Sequence, residues 1–217
     1  MKPVLSPAEV AAQVQDGARI MIGGFMGVGS PHRMIDALVA RNLSDLTIIA
    51  NDTAMPGYAI GKLIAAGCVS HLIVSHIGTN PQTQTRVIEE EISIELVPQG
   101  TLIERIRAGG AGLGGVLTAT GLGTEVSKDK QVVTVENRAY LLETPLKADV
   151  ALIAAQQADY LGNLIYTLTA QNFNPTMAMA ADTVIAETNS IVPVGVISPD
   201  AVRTPGCLVD YLLERPI

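Results

Sequence analysis

Arg19-Ile20-Met21-Ile22-Gly23-Gly24-Phe25-Met26-Gly27-Val28-Gly29-Ser30-Pro31 is the stretch that decides the fold. Residues 19–22 read as a short buried strand, and the glycines that follow interrupt any regular element. Ser30 and Pro31 then supply an N-cap and first-turn pair for a helix that carries Met34, Ile35, Leu38 and Val39 at three- and four-residue spacings. Strand, glycine turn and helix in that order open a βα unit, and the helix N-terminus faces the turn.

The alternation continues on both sides. Upstream, Ser6-Pro7-Ala8-Glu9 is a capping box with Pro at the first helical position. Downstream, residues 46–50 read as a second strand, 58–66 as a helix ended by Gly67, 72–75 as a third strand and 92–97 as a fourth. Residues 101–108 read as a helix with Leu102, Ile103 and Ile106 on its inner face. Strands that alternate with helices imply a parallel sheet.

Gly109, Gly110, Gly112, Gly114, Gly115, Gly121 and Gly123 are too dense for a regular element and predict a loop that moves or hugs a ligand. Residues 131–135 and 138–142, joined by Glu136-Asn137, predict an antiparallel hairpin, since Asn tolerates the left-handed turn conformation. The apolar run at 150–154 predicts another central strand, with further runs at 164–168 and 183–186. The expected fold is α/β: an open, mainly parallel sheet flanked by helices, with an antiparallel hairpin section. No linker or fixed-period repeat divides the chain, so one domain over 1–217 is expected.

Composition narrows the function. The 217 residues are 48% hydrophobic and 16% charged, an ordinary balance for a folded chain. The formal charge of −7 argues against sequence-independent nucleic-acid binding, which needs clustered cations. No apolar run approaches the ~20 residues of a membrane span. The first residues form a capping box rather than an apolar secretory segment, and a cytoplasmic location is expected. Cys68 and Cys207 suggest neither a disulfide framework nor a thiol site. His32, His71 and His76 lack metal-ligand spacing, so no metal is expected. There is no GxSxG elbow.

The glycine turn carries the sharpest chemistry. A turn free of side chains that opens a helix can hold phosphate oxygens on backbone N–H groups and the helix dipole, which suits an acidic chain with an anionic ligand. The same glycines would equally serve close packing of strand on helix. Gly24, Gly27 and Gly29 form GxxGxG rather than the dinucleotide order GxGxxG, and no P-loop lysine follows. Asp52, at the end of the second strand, nevertheless sits where a ribose-binding acid would, so a nicotinamide-dependent oxidoreductase is the rival reading.

In a parallel sheet the residues after the strands line one edge, which brings Asn51, His76 and Gln99 toward the turn. Amide side chains there could stabilise an oxyanion. Simpler roles stay open: Asn51 as a turn residue, His76 as a packed histidine, Gln99 as a helix cap. Glu89-Glu90-Glu91 reads as a solvated helix end. The other glutamates are scattered and none has the glycine-flanked context of a carboxylate nucleophile.

Several ordered motifs together resemble the α subunits of family I CoA-transferases, in the acetate (acetyl-CoA:acetoacetate) branch. They are Gly23-Gly24-Phe25 through Pro31, Asn51-Asp52-Thr53-Ala54, Ser75-His76-Ile77-Gly78-Thr79-Asn80-Pro81, Val97-Pro98-Gln99-Gly100-Thr101, and Arg105 through Gly112. The likeness runs from Leu5 to Leu213. It implies a ping-pong transfer in which a glutamate of a separate β subunit forms a glutamyl-CoA thioester through an anhydride. The partner would be that β subunit, in a heterotetramer or larger assembly. Coenzyme A and acyl-CoA would be substrates, with no tightly bound cofactor.

By the same resemblance Gly24, Phe25, Met26, Gly27, Val28, Gly29 and Ser30 contact CoA, Asn51 and Gln99 lie at the active site, and Gln99 stabilises the carbonyl oxygen. Relatives that use dicarboxylic oxoacids tend to read Asn-Asn-Ala-Gly where this chain has Asn51-Asp52-Thr53-Ala54, which implies acetate, butyrate or acetoacetate here. Gln171 stands where Arg is common. A non-catalytic CoA-binding module on the same fold is the remaining reading.

Overall fold

The computed structural model describes residues 1–214; the last three residues of the expected domain lie outside them. Helix α1 (Pro7–Ala12) starts at the expected capping box: the Glu9 N–H donates to Ser6 Oγ at 3.3 Å, and the Ser6 N–H to Glu9 Oε2 at 2.8 Å. Then follow β1 (Arg19–Ile22), α2 (His32–Ala40), β2 (Leu46–Asp52), α3 (Gly61–Ala65), β3 (Val69–His76), α4 (Pro81–Ile88), β4 (Ser93–Leu96) and α5 (Gln99–Gly110). The second half adds β5 (Val116–Thr118), β6 (Val132–Val135), β7 (Arg138–Glu143), β8 (Ala148–Ala155), β9 (Gln157–Asp159), β10 (Leu164–Ile165), α6 (Asn174–Met177), β11 (Ala181–Thr188), β12 (Ile191–Val192) and β13 (Tyr211–Glu214).

Seven strands form one sheet in the order β13-β11-β8-β1-β2-β3-β4, and every pairing in it is parallel. Period-two alternation sorts the side chains between two cores. Ile20, Ile22, Ile48, Ala50, Leu72 and Val74 pack with Val10 of α1, Met34 and Leu38 of α2 and Leu63 of α3. Met21, Ile49 and Ile73 face the other way, onto Leu102 and Ile106 of α5 and Met177 of α6. The sheet is therefore covered on both faces, which is why its strands read as continuous apolar runs.

The chain leaves β1 toward β4 on one side and returns through β8 on the other, so strand order reverses at β1. Ligands of open α/β sheets bind outside the carboxyl ends of the strands at such a switch. The glycine turn after β1 lies there.

The expected hairpin is present: β6 and β7 pair antiparallel through Glu136 (φ 47°) and Asn137 (φ 62°), the two left-handed positions of a type I′ turn. The glycine-dense segment, however, is not one loop. Gly109 and Gly110 complete α5, and Val116–Thr118 is a strand paired with β7. A Cβ on Gly109 would lie 1.9 Å from the Leu146 carbonyl oxygen, and one on Gly110 would lie 2.5 Å from Met179, so these glycines permit close packing. The small β5-β7-β6 sheet is tied down by charge: buried Arg105 of α5 donates Nε to the Thr144 carbonyl at 2.8 Å and pairs through Nη1 with Glu95. Buried Glu143 takes Lys130 Nζ at 2.6 Å. Residues 164–168 were expected to be a single run; only Leu164–Ile165 is strand, and a 3₁₀ turn begins at Leu168.

Candidate active site

The loop after β1 is a miniature hairpin. Phe25 and Val28 exchange both backbone hydrogen bonds, at 3.0 and 2.9 Å, around Met26 (φ 50°) and Gly27 (φ 85°). Left-handed φ at Met26 costs about 1–2 kcal/mol, and two groups hold it. The Met26 N–H donates to Asp52 Oδ2 at 2.9 Å, and Gly27 packs so tightly under Tyr58 that a Cβ would lie 2.1 Å from the ring. Asn172 and Asn174 fasten the rest. Asn172 Oδ1 accepts the Gly24 N–H while its Nδ2 donates to the Val28 carbonyl; Asn174 Nδ2 donates to the Gly29 carbonyl.

Two expectations for this loop are corrected. Ser30 does not cap α2; its hydroxyl donates to the Gly23 carbonyl at 3.0 Å, which closes the loop on itself. The cap comes from Glu187 at the end of β11, fully buried, whose Oε2 accepts the N–H groups of Arg33 at 2.9 Å and Met34 at 3.1 Å. The positive end of α2 thus already holds an internal carboxylate and is not open to a phosphate. Within the loop, the N–H groups of Gly24, Phe25, Met26, Val28 and Ser30 have protein acceptors. The N–H groups of Gly27 and Gly29 have no acceptor among the described residues.

Asn51 and Gln99 do meet. Strand β2 stays paired through Asp52, which places Asn51 within the strand and 2% exposed, behind Gln99 at the exposed first turn of α5. Gln99 Nε2 donates to Asn51 Oδ1 at 2.6 Å, and Ser75 Oγ donates to the Asn51 carbonyl at 2.7 Å. Asn51 Nδ2 donates in turn to Asp52 Oδ2 at 2.6 Å. Gln99 therefore does not cap its helix, and Asn51 is not a turn residue. His76 is not packed inside: it is exposed at the end of β3, its ring lying over Gly78.

Asp52 is not available to a ribose. It is 4% exposed, and its oxygens accept the Met26 N–H, the Asn51 amide and, at 2.7 Å, the Ala54 N–H. That removes the residue on which the nicotinamide reading stood.

Beside the loop, at the carboxyl ends of β1 and β8, lies a cavity of about 290 Å³ lined by Val28, Gly29, Tyr58, Gln156, Tyr166 and Asn189 among others. Burial pushes the Tyr166 phenol well above its ordinary value, against the smaller opposing effect of its 2.7 Å hydrogen bond with Thr204. Tyr166 is accordingly a neutral hydrogen-bonding wall at physiological pH.

Asn172, Asn174, Glu187 and Ser75 are the supports that the sequence reading did not assign. The stretch around Asn172 stood out only through resemblance, and Glu187, which follows an apolar run, carries no local signal of its role.

The coenzyme A transferase family model matches residues 4–215. The chain is 53% identical over 199 residues to the acetate CoA-transferase subunit alpha of Escherichia coli strain K12, covering 92% of this chain and 90% of that protein. It is 51% identical over 202 residues to the acetoacetyl-CoA:acetate/butyrate CoA transferase alpha subunit of Clostridium acetobutylicum, covering 93% of each. Among solved structures, an acyl-CoA transferase from Escherichia coli O157:H7 superposes with a TM-score of 0.87 at 24% identity; the match covers 99% of this chain, which spans about half (47%) of that longer one. Glutaconate coenzyme A-transferase from Acidaminococcus fermentans superposes with a TM-score of 0.85 at 21% identity, over 98% of this chain and 75% of that one.

Proposed function

From the premise that the chain belongs to the coenzyme A transferase family and is a transferase subunit, we propose that it moves CoA between short-chain acyl-CoA and acetate, acetoacetate or butyrate, together with a β subunit that carries the nucleophilic glutamate. The observation that carries this reading is the exposed Gln99 amide held by buried Asn51 at the carboxyl ends of the strands. Asp52 and Glu187, which touch the loop and the first turn of α2, are buried and hold backbone N–H groups. A carboxylate so held is a poor nucleophile, and the attacking glutamate is taken to be the β subunit's, as the likeness to CoA-transferase α subunits implies.

The chemistry follows. The partner's glutamate attacks the thioester carbonyl, the C–S bond breaks, and CoA thiolate leaves with an acyl-glutamyl anhydride formed. The thiolate then attacks the glutamyl carbonyl and releases the first acid, leaving glutamyl-CoA; the second acid reverses both steps. Each attack puts negative charge on a carbonyl oxygen. One N–H of Gln99 Nε2 goes to Asn51 and the other is free to meet that oxygen. The loop from Gly24 to Ser30 forms a wall for the CoA moiety, a role supported by its place at the switch point and by the open N–H groups of Gly27 and Gly29.

This reading takes the chain as one α-subunit domain, supported by the position of β1 between strands from both halves. It places the enzyme in the cytoplasm, where acyl-CoA is available; among the described residues no helix is long and apolar enough to cross a membrane.

The test is acetyl-CoA exchange with butyrate or acetoacetate by the chain co-expressed with its β subunit. Q99A should lower kcat about 10²- to 10³-fold, the usual loss for an oxyanion donor, and borohydride should trap the glutamyl thioester on the partner. Full exchange by the isolated chain, or an unchanged kcat in Q99A, would overturn the reading.

A further inference from the structure

We infer that Asp52 is a positioning residue of the transfer site: its carboxylate sets the donor-acceptor polarity of the Asp52-Asn51-Gln99 chain, so that Gln99 presents an N–H to the reacting carbonyl. This rests on the oxyanion role proposed for Gln99.

The argument starts from what each group can give. A carboxylate has acceptor oxygens and no hydrogen to donate, whereas an amide side chain has a donor end and an acceptor end of nearly equal shape. The N–H groups of Met26 and Ala54 point at the two oxygens of Asp52, at 2.9 and 2.7 Å. The third neighbour, Asn51, can therefore only turn its Nδ2 toward Asp52, at 2.6 Å. That leaves Asn51 Oδ1 facing outward, where it also lies 3.3 Å from Ser75 Oγ, itself a donor to the Asn51 carbonyl. Gln99 must answer an acceptor and so gives Nε2, at 2.6 Å.

Burial makes the assignment strict. Asn51 is 2% and Asp52 4% exposed, so two donors or two acceptors facing each other between them would be costly, and the orientation of Asn51 is what exposed Gln99 meets. In this chain, where the N–H groups of Met26 and Ala54 both point at residue 52, an amide there could satisfy one of them but not both, and it would let Asn51 turn over. Gln99 would then meet a donor, turn its own amide, and present its oxygen end where the N–H had been. The negative oxygen of the transition state would face a carbonyl dipole.

The experiment is a set of variants in the assembled enzyme, read by kcat, by KM for acetyl-CoA and by melting temperature. Asp52→Asn should lower kcat about ten- to a hundredfold, short of the 10²- to 10³-fold loss of a whole oxyanion donor because the Gln99 amide is misoriented rather than removed, and should raise KM by no more than the roughly tenfold expected for displacement of the Met26 loop that Asp52 also holds. In a Q99A background the same substitution should have little further effect on kcat, since its effect on kcat acts through Gln99. The swap N51D/D52N keeps an acceptor-only group next to Gln99 and should recover most of the kcat lost in D52N. A merely structural role predicts the opposite: the swap is worse than D52N, and D52N costs as much with Q99A as without it. Either result overturns the proposal. If Q99A itself leaves kcat unchanged, the oxyanion reading fails first; if Q99A is impaired while D52N is not, only the polarity argument fails. Should D52N not assemble, the swap decides alone: Gln99-dependent activity supports the inference, and an assembled but inactive swap refutes it.

Discussion

Replacing Glu187 tests whether α2 is capped from across the sheet. Glu187 is fully buried and its Oε2 accepts the N–H groups of Arg33 and Met34, the second and third residues of α2, which are the positions an ordinary N-cap side chain serves. A hydrogen bond to a charged group contributes about 1.5–3 kcal/mol, and a buried donor left without a partner costs about 1–3 kcal/mol. Against this, removing the charge relieves its desolvation. E187A should therefore lose about 2–4 kcal/mol, more than the ~1 kcal/mol typical of an exposed cap. E187Q keeps an acceptor oxygen of the same reach and should lose only about 1 kcal/mol. Urea unfolding of the three proteins, with hydrogen exchange at Arg33 and Met34, reads both quantities. Sulfate should stabilise E187A more than the unmodified chain, because the vacated helix terminus can take an anion. The reasoning is refuted if E187A lies within about 0.5 kcal/mol of the unmodified chain, or if E187Q is as unstable as E187A.

Three further outcomes follow from the geometry. Gly27→Ala places a Cβ 2.1 Å from the Tyr58 ring at a φ of 85°; the loop should be displaced and KM for acyl-CoA should rise about tenfold, the equivalent of the ~1–2 kcal/mol of left-handed strain, as steady-state kinetics would show. Arg105→Met removes the donor to the Thr144 carbonyl and the partner of Glu95, while Glu143, 2% exposed, keeps Lys130 at 2.6 Å; it should destabilise by about 1–3 kcal/mol in thermal melts, the cost of a buried acceptor left unpaired. Glu9 titrates below its ordinary value of 4.5 because the Ser6 backbone N–H, and then its hydroxyl, bind the ionised form. The sign is that of a depressed carboxylate: the cap contributes above 4.5 and is lost as pH falls through the folded value. An NMR titration of S6A should move Glu9 only part of the way back, since the larger backbone contribution survives.

What was legible in the sequence was local. Strands β1, β2 and β8 lie at the centre of the sheet and show as apolar runs because both of their faces are buried. Asn137 marked the hairpin because its side chain tolerates the conformation the turn requires. Ser30 was misread for the same reason in reverse: Ser before Pro has the local form of a cap, but the group that caps α2 stands 154 positions beyond Arg33, whose N–H it accepts. Gly109 and Gly110 looked like breaks in structure because the backbone oxygens that crowd them belong to distant segments. Asn51 and Gln99 could be placed on one edge by strand order. Which of the two is buried depended on β2 remaining paired for two residues beyond its apolar run.

The loop and the amide of Gln99 are not independent parts. Asp52 holds the strained Met26 by its N–H and the orientation of Gln99 through Asn51, so one carboxylate references both to the end of β2. Strain at Met26 persists only while that bond is made, and Gln99 points usefully only while Asn51 faces the same oxygen. On the proposed reading, this arrangement lets an acidic chain meet an anionic substrate on dipoles rather than on cationic side chains. Asp52 and Glu187 are turned inward onto backbone N–H groups, and what faces outward is the exposed amide of Gln99, a dipole whose position costs nothing to reorganise when charge develops on a carbonyl oxygen.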